Sequence, residues 1–256
     1  MIKNNLLLII DPQIDFTDKH GSLYVEGAET GIQNICKFID GHRKEISSII
    51  CTSDSHYPNS IFNNGGWKTK DGKIPVMYTS ISSDQVKEGV YIPMATTKEY
   101  AIKYLLELEK QGKQHIVWPA HCLVGSKGQS FPDPLIWSLV AWFLENNKNY
   151  EVWEKGKSVD REMYSAFSYF DGTMSLEGKQ RLDSLYTRGY DKIFIAGFAK
   201  DFCVAETVRD LVKDTRFKDK LVFLPECTAT INPENPSLSI YDSAIENYGA
   251  MNMNIL

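Results

Sequence analysis

The sequence predicts an α/β fold: a three-layer, doubly wound, mostly parallel sheet with helices on both faces. Short apolar runs rich in β-branched residues recur along the chain, segments with helical spacing lie between them, and the residues that follow the runs are polar and reactive. Near-continuous apolar runs are what strands need when both faces of their sheet are covered. Their alternation with amphipathic helices implies parallel crossovers rather than hairpins. With 256 residues, 43% of them hydrophobic, the chain can bury one large core, so a single domain over 1–256 is expected.

The elements follow in order. "LLLIID" at 6–11 reads as a first strand with a carboxylate at its end. Residues 28–43 carry Ile32, Ile35, Phe38 and Ile39 on one helical face. "ISSIICTSD" at 46–54 is a second strand, ending on Asp54 with His56 just beyond. The rhythm then breaks. Region 63–112 is rich in Gly, Asn, Lys and Ser as far as Pro93 and then turns helical over 97–111. "TTKE" at 96–99 has capping-box spacing there, and Gly112 offers a stop. Its length suits a lid or an oligomer contact better than a linker.

"YEVWEKG" at 150–156 carries Lys155, and a helix over 175–188 presents Leu176, Leu182 and Leu185. "KIFIAGF" at 192–198 leads to Cys203, which opens a helix over 204–215 bearing Val204, Val208, Leu211 and Val212. "KLVFLPE" at 220–226 closes the series.

Composition narrows the function. The net charge of -5 and the scattered Lys and Arg residues argue against a nucleic-acid surface and leave small molecules as partners. Five cysteines without a CxxC pair form neither a disulfide framework nor a zinc cluster, which suits a reducing cytoplasm. "LLLII" is too short for a signal segment and no stretch approaches a membrane span, so a soluble cytoplasmic protein is expected.

Ligands of open parallel sheets bind beyond the carboxyl ends of the strands. Those ends deliver Asp11, Asp54, His56, Lys155 and Cys203. A carboxylate, an ammonium and a thiol suffice for covalent hydrolysis: the cation and a helix start lower the thiol pKa, and Asp11 carries the proton. A free cysteine is more commonly a small buried apolar residue, and Cys203 fits that reading too. Asp54 and His56, with His121 in "VWPAHC", form an Asp-x-His pair plus a distant His, a set that suits zinc, iron or manganese. Such spacing also arises by chance.

With these residues assembled, the chain resembles the isochorismatase-like cysteine hydrolases, in their nicotinamidase-related branch. The resemblance rests on "IIDPQIDFTD", "TSDSHYPNSIF", "WPAHCLVGSKGQSF", "EKGKSVDREMYSAFSYF" and "AGFAKDFCVAETVRD", in the family's order; region 63–112 is the least family-like. It implies a catalytic triad of Asp11, Lys155 and Cys203, a divalent metal held by Asp54, His56 and His121, and a non-proline cis peptide before Ala199. That peptide would turn the amides of Ala199 and Cys203 into an oxyanion hole. Phe16, Trp118 and Tyr164 would wall an aromatic pocket. The implied reaction is hydrolysis of nicotinamide, or a close carboxamide, to the acid and ammonia through a thioester, a step of NAD salvage. A carbamoyl substrate and a non-catalytic ligand-binding role are the alternatives. One departure stands out: the family commonly has a further metal ligand where this chain carries Ile61.

Overall fold

The first apolar run becomes the middle of the sheet. In the computed structural model, which describes residues 4–255, six strands pair in parallel: β1 (Asn5–Ile10), β2 (Ile46–Asp54), β3 (Glu151–Lys155), β4 (Lys192–Gly197), β5 (Leu221–Thr228) and β6 (Met251–Asn252). Their order is β6-β5-β4-β1-β2-β3. β1 takes a central place because every residue in it is apolar or, in Asn5, hydrogen-bonded, and all six are buried. β3 forms an edge, where its alternating "EVWEK" leaves Val152 and Glu154 in water.

The longer helices are α1 (Ala28–Gly41), α2 (Lys98–Lys110), α3 (Asp133–Asn146), α4 (Leu176–Arg188), α5 (Ala205–Lys213) and α6 (Ser239–Tyr248), of which α2 packs within region 63–112 and the rest lie on the sheet. The chain steps from β1 through β2 to β3 in one direction and from β4 through β5 to β6 in the other. Right-handed crossovers then put α1 and α3 on one face and α4, α5 and α6 on the opposite face. α1 packs on α3, and Trp142 Nε1 donates to Ile46 O at 3.0 Å. The direction reverses between β1 and β4, and the crevice for a ligand opens beyond that pair. Gly197 permits the close approach there: at φ 114°, an added Cβ would lie 2.0 Å from Ile10 O.

Several local expectations shift. Thr97, not Thr96, caps α2, accepting from Tyr100 N at 3.2 Å; the Tyr100 side chain does not reach back but accepts from Arg161 Nε at 2.6 Å, so no capping box forms. Region 63–112 supplies two small antiparallel pairs, Trp67–Thr69 with Tyr91–Pro93 and Ser80–Ile81 with His115–Ile116, the last just beyond its end. α3 escapes a periodicity reading because it is apolar nearly all round, burying Leu135, Leu139 and Trp142 while exposing Trp137 and Leu144. Among the described residues, no helix is long and apolar enough to cross a membrane.

Candidate active site

The strand ends converge on one buried cluster of charges. Asp11 follows β1 in the left-handed region, φ 44°. Its amide donates to Thr52 Oγ1 at 2.9 Å, and the Thr52 hydroxyl donates to Asp11 Oδ1 at 2.5 Å. The parallel register of β2 and β3 sets Asp54 beside Lys155. Lys155 is fully buried; its Nζ lies 2.9 Å from Asp11 Oδ2 and 2.5 Å from Asp54 Oδ1, and donates to Met163 O at 3.1 Å. Cys203 Sγ stands 3.7 Å from the same ammonium. A carboxylate oxygen from each of Asp11 and Asp54 lies within 4.8 Å of that sulfur.

Cys203 sits in a π turn, Lys200–Val204, that runs into α5, so the regular helix starts after it and not at it. The Phe198–Ala199 peptide is cis. Ala199 O accepts from Phe202 N at 3.2 Å and Val204 N at 3.1 Å, which brings Ala199 and Cys203 to the same cavity.

Desolvation dominates the electrostatics. Burial pushes the Cys203 thiol well above its usual range, and Lys155 only partly opposes it. The lowered thiol pKa expected from a helix start is therefore not found, because the site is dry. Burial raises Asp11 to about 6 against the pull of Lys155. Burial also disfavours charge on Asp54, but Lys155 and His56 outweigh it and hold that carboxyl well below the usual range. Lys155 keeps its proton because two carboxylates outweigh the cost of burying it. These shifts favour a thiol on Cys203 beside the ion pair of Lys155 Nζ with Asp11 Oδ2.

Asp54, His56 and His121 offer donor atoms within 4.8 Å of one another. The two rings are held alike at Nδ1. His56 Nδ1 meets Gly156 O at 2.9 Å and His121 Nδ1 meets Pro119 O at 2.7 Å. A carbonyl can only accept, so each Nδ1 carries the proton; His121 Nε2 is left as a lone-pair donor, the usual preparation of a metal-ligating His, whereas His56 Nε2 lies 3.3 Å from Asp54 Oδ2, and although burial disfavours charge on that ring, Asp54 outweighs it and raises the pKa. Gly156 is required here: a Cβ would lie 2.4 Å from His56 Cε1. Burial lowers His121 to about 4, which keeps its ring neutral. The trio fits a divalent ion.

Phe16, Trp118 and Tyr164 line the same cavity as Asp54, His121, Ala199 and Cys203. Trp118 Nε1 donates to Tyr164 Oη at 2.8 Å, locking two of the three together. Phe202, unremarked in the sequence, completes the wall, with ring centroids 5.1 Å from Trp118 and 5.5 Å from Tyr164. Its place next to Cys203 was a usable signal. Glu162 was also missed: it is buried, lines the cavity, and is pushed up to about 7 by burial although His56 opposes the shift. It comes from an irregular loop where no periodicity marks it. Ile61 does not line the cavity; it is core, and its carbonyl accepts from His115 Nε2 at 3.0 Å and from Trp67 Nε1. Other cations stay away from Cys203: Lys157 pairs with Glu154 and Lys200 lies over the Tyr241 ring.

No protein-family profile matches the chain. It is 25% identical to the nicotinamidase of Saccharomyces cerevisiae over 203 residues, 78% of each chain. Among solved structures, it resembles an Acinetobacter nicotinamidase/pyrazinamidase with a TM-score of 0.67 and 21% identity, covering 99% of this chain and 97% of that one. It also resembles a Pyrococcus horikoshii pyrazinamidase in complex with zinc, with a TM-score of 0.59 and 18% identity over 98% and 99% of the two chains.

Proposed function

Taking the chain as a nicotinamidase-related protein of isochorismatase-like fold, we propose that it is an amidase that hydrolyses nicotinamide, or a close aromatic carboxamide, to the acid and ammonia. The observation that carries this reading is the buried contact of Cys203 Sγ with Lys155 Nζ at 3.7 Å, with Asp11 2.9 Å from the same ammonium.

In this mechanism, Asp11 accepts the Cys203 proton as sulfur attacks the carboxamide carbon, so the thiolate exists only as the new bond forms. Lys155 balances the negative charge that passes between them, which matters most where water is excluded. The amides of Ala199 and Cys203 face the developing oxyanion, worth about 3 kcal/mol per donor in comparable sites. Asp11 returns its proton to the departing ammonia, and it then draws one from the water that cleaves the thioester. The ring sits among Phe16, Trp118, Tyr164 and Phe202. When bound at Asp54, His56 and His121, a divalent ion supplies a Lewis-acid anchor for a ring nitrogen. Glu162 lines the same cavity as a carboxylate outside that trio of donor atoms.

Ammonia release from a panel of carboxamides tests the reading. Turnover of nicotinamide and pyrazinamide, with little on aliphatic amides or carbamoyl compounds, is the expected result. No release from any amide would overturn it in favour of a binding protein.

A further inference from the structure

Behind the aromatic wall lies a second, larger space. The reaction cavity leaves about 20 Å³ free, room for about one water, whereas the outer cavity has a volume of about 620 Å³. Tyr164 and Phe202 line both. The wall of Tyr164 and Phe202 therefore stands between Cys203 and the outer cavity.

Four charged groups face this outer space: Lys113, Asp201, Glu206 and Arg209. The Asp201 carboxylate is already occupied, accepting from Ile231 N at 3.0 Å, Asn232 N at 2.8 Å and Asn235 Nδ2 at 3.5 Å. Glu206 is shared, 3.2 Å from Arg209 Nε and 3.9 Å from Lys113 Nζ. Two cations thus divide the Glu206 carboxylate, Lys113 Nζ also donates to Phe170 O at 2.6 Å, and the terminal guanidinium nitrogens of Arg209 take no acceptor among the described residues. Lys113 Nζ lies over the Phe170 ring at 4.5 Å, and that ring packs edge-on against Tyr164 at 4.7 Å. Burial weakens the hold of Lys113 on its proton, a cost that an added anion would offset.

We propose that the outer cavity is a binding site for an aromatic carboxylate, the product of the amidase reaction inferred above, with the ring against Phe170 and Phe202 and the carboxylate on Arg209 and Lys113. The proposal rests on that amidase reading. Hydrolysis turns a neutral carboxamide into an anion, and the terminal guanidinium nitrogens of Arg209, which take no acceptor among the described residues, can pair with a carboxylate more strongly than with its neutral precursor. The product would pass from Cys203 through the Tyr164 and Phe202 wall into a site that retains it and not the amide.

Calorimetric titration of the Cys203→Ala protein with nicotinate tests this directly. Two nicotinates per chain are expected, one in each cavity, with nicotinamide filling only the reaction cavity over the same concentrations. Adding Arg209→Gln should weaken one nicotinate site at least about tenfold and spare the other, since a charged hydrogen-bonding partner is lost. Arg209→Lys should restore most of it. If Arg209→Gln fails to fold, Lys113→Gln is read in the same way. A single nicotinate per chain, or two whose affinities neither substitution changes, would overturn the proposal. Because the titration uses an inactive variant, its failure leaves the amidase reading standing, and a wild-type chain inert toward every carboxamide would fail that reading alone.

Discussion

Cys203 and Cys122 sit in two buried turns that look alike and differ in one neighbour. Both thiols are raised by burial, and both turns depart from regular backbone, a π turn at Cys203 and φ 46° at Cys122. At Cys122 the surrounding carboxylates Asp54, Asp15 and Asp11 raise the thiol further, and among the described residues its sulfur reaches only Gly128 O at 4.0 Å. Its amide donates to Asp15 Oδ2 at 2.6 Å, a structural tie between two loops. At Cys203 an ammonium lies at 3.7 Å. In this buried site what separates the proposed nucleophile from Cys122 is that one cation with its carboxylate, and not helix geometry.

The comparison breaks most sharply at the sulfurs themselves. Cys203→Ala should lower amidase turnover by roughly four orders of magnitude or more, as removal of a covalent nucleophile does, while Cys122→Ala keeps activity within about tenfold, because only packing is lost. Ammonia release and the mass of iodoacetamide-labelled peptides measure both. Equal losses would erase the distinction.

Removing the distinguishing cation comes next. Lys155→Met should cut turnover by about three orders of magnitude and also destabilise the fold by about 3–5 kcal/mol, since it strands the buried carboxylates of Asp11 and Asp54. Urea midpoints separate the two effects. An active, stable variant would mean that Cys203 is no better supported than Cys122.

Glu162 sharpens the same contrast on the metal side. Glu162→Gln should weaken zinc retention by about 10- to 100-fold, the usual effect of losing a group that supports a metal site. Elemental analysis before and after EDTA dialysis reads this. Protein that carries no metal at any stage yet is fully active would remove the metal site and leave the Cys203 chemistry untouched.

The smallest effect expected is in pH. Asp11 acts as the base only when ionised, and its raised pKa of about 6 means that the active form is lost as pH falls through that value. The value of kcat/KM should stay flat from pH 8 to 7, halve near pH 6, and drop about tenfold per unit below that. A profile flat to pH 4, near the ordinary carboxylate range, would show that Asp11 is not the base.

The sequence by itself determined the parallel sheet and where its chemistry would collect. Apolar runs separated by amphipathic helices point to parallel strands, and parallel strands hand the residues at their carboxyl ends to the same edge of the sheet. Asp11, Asp54, Lys155 and Cys203 were legible for that reason. His56 and His121 were legible as a pattern, although the carbonyl partners that hold their Nδ1 atoms were not. The tertiary structure decided what depends on contacts across long separations: Asp54 meets Lys155 across 101 residues, Ile61 turns into the core while Glu162 enters the cavity from a loop, and α3 hides its identity by being apolar all round. It also decided the sign of the thiol shift at Cys203. A lysine neighbour and a helix start can be read along the chain, but desolvation is the sum of everything packed around an atom, and here that sum outweighs the nearest charge.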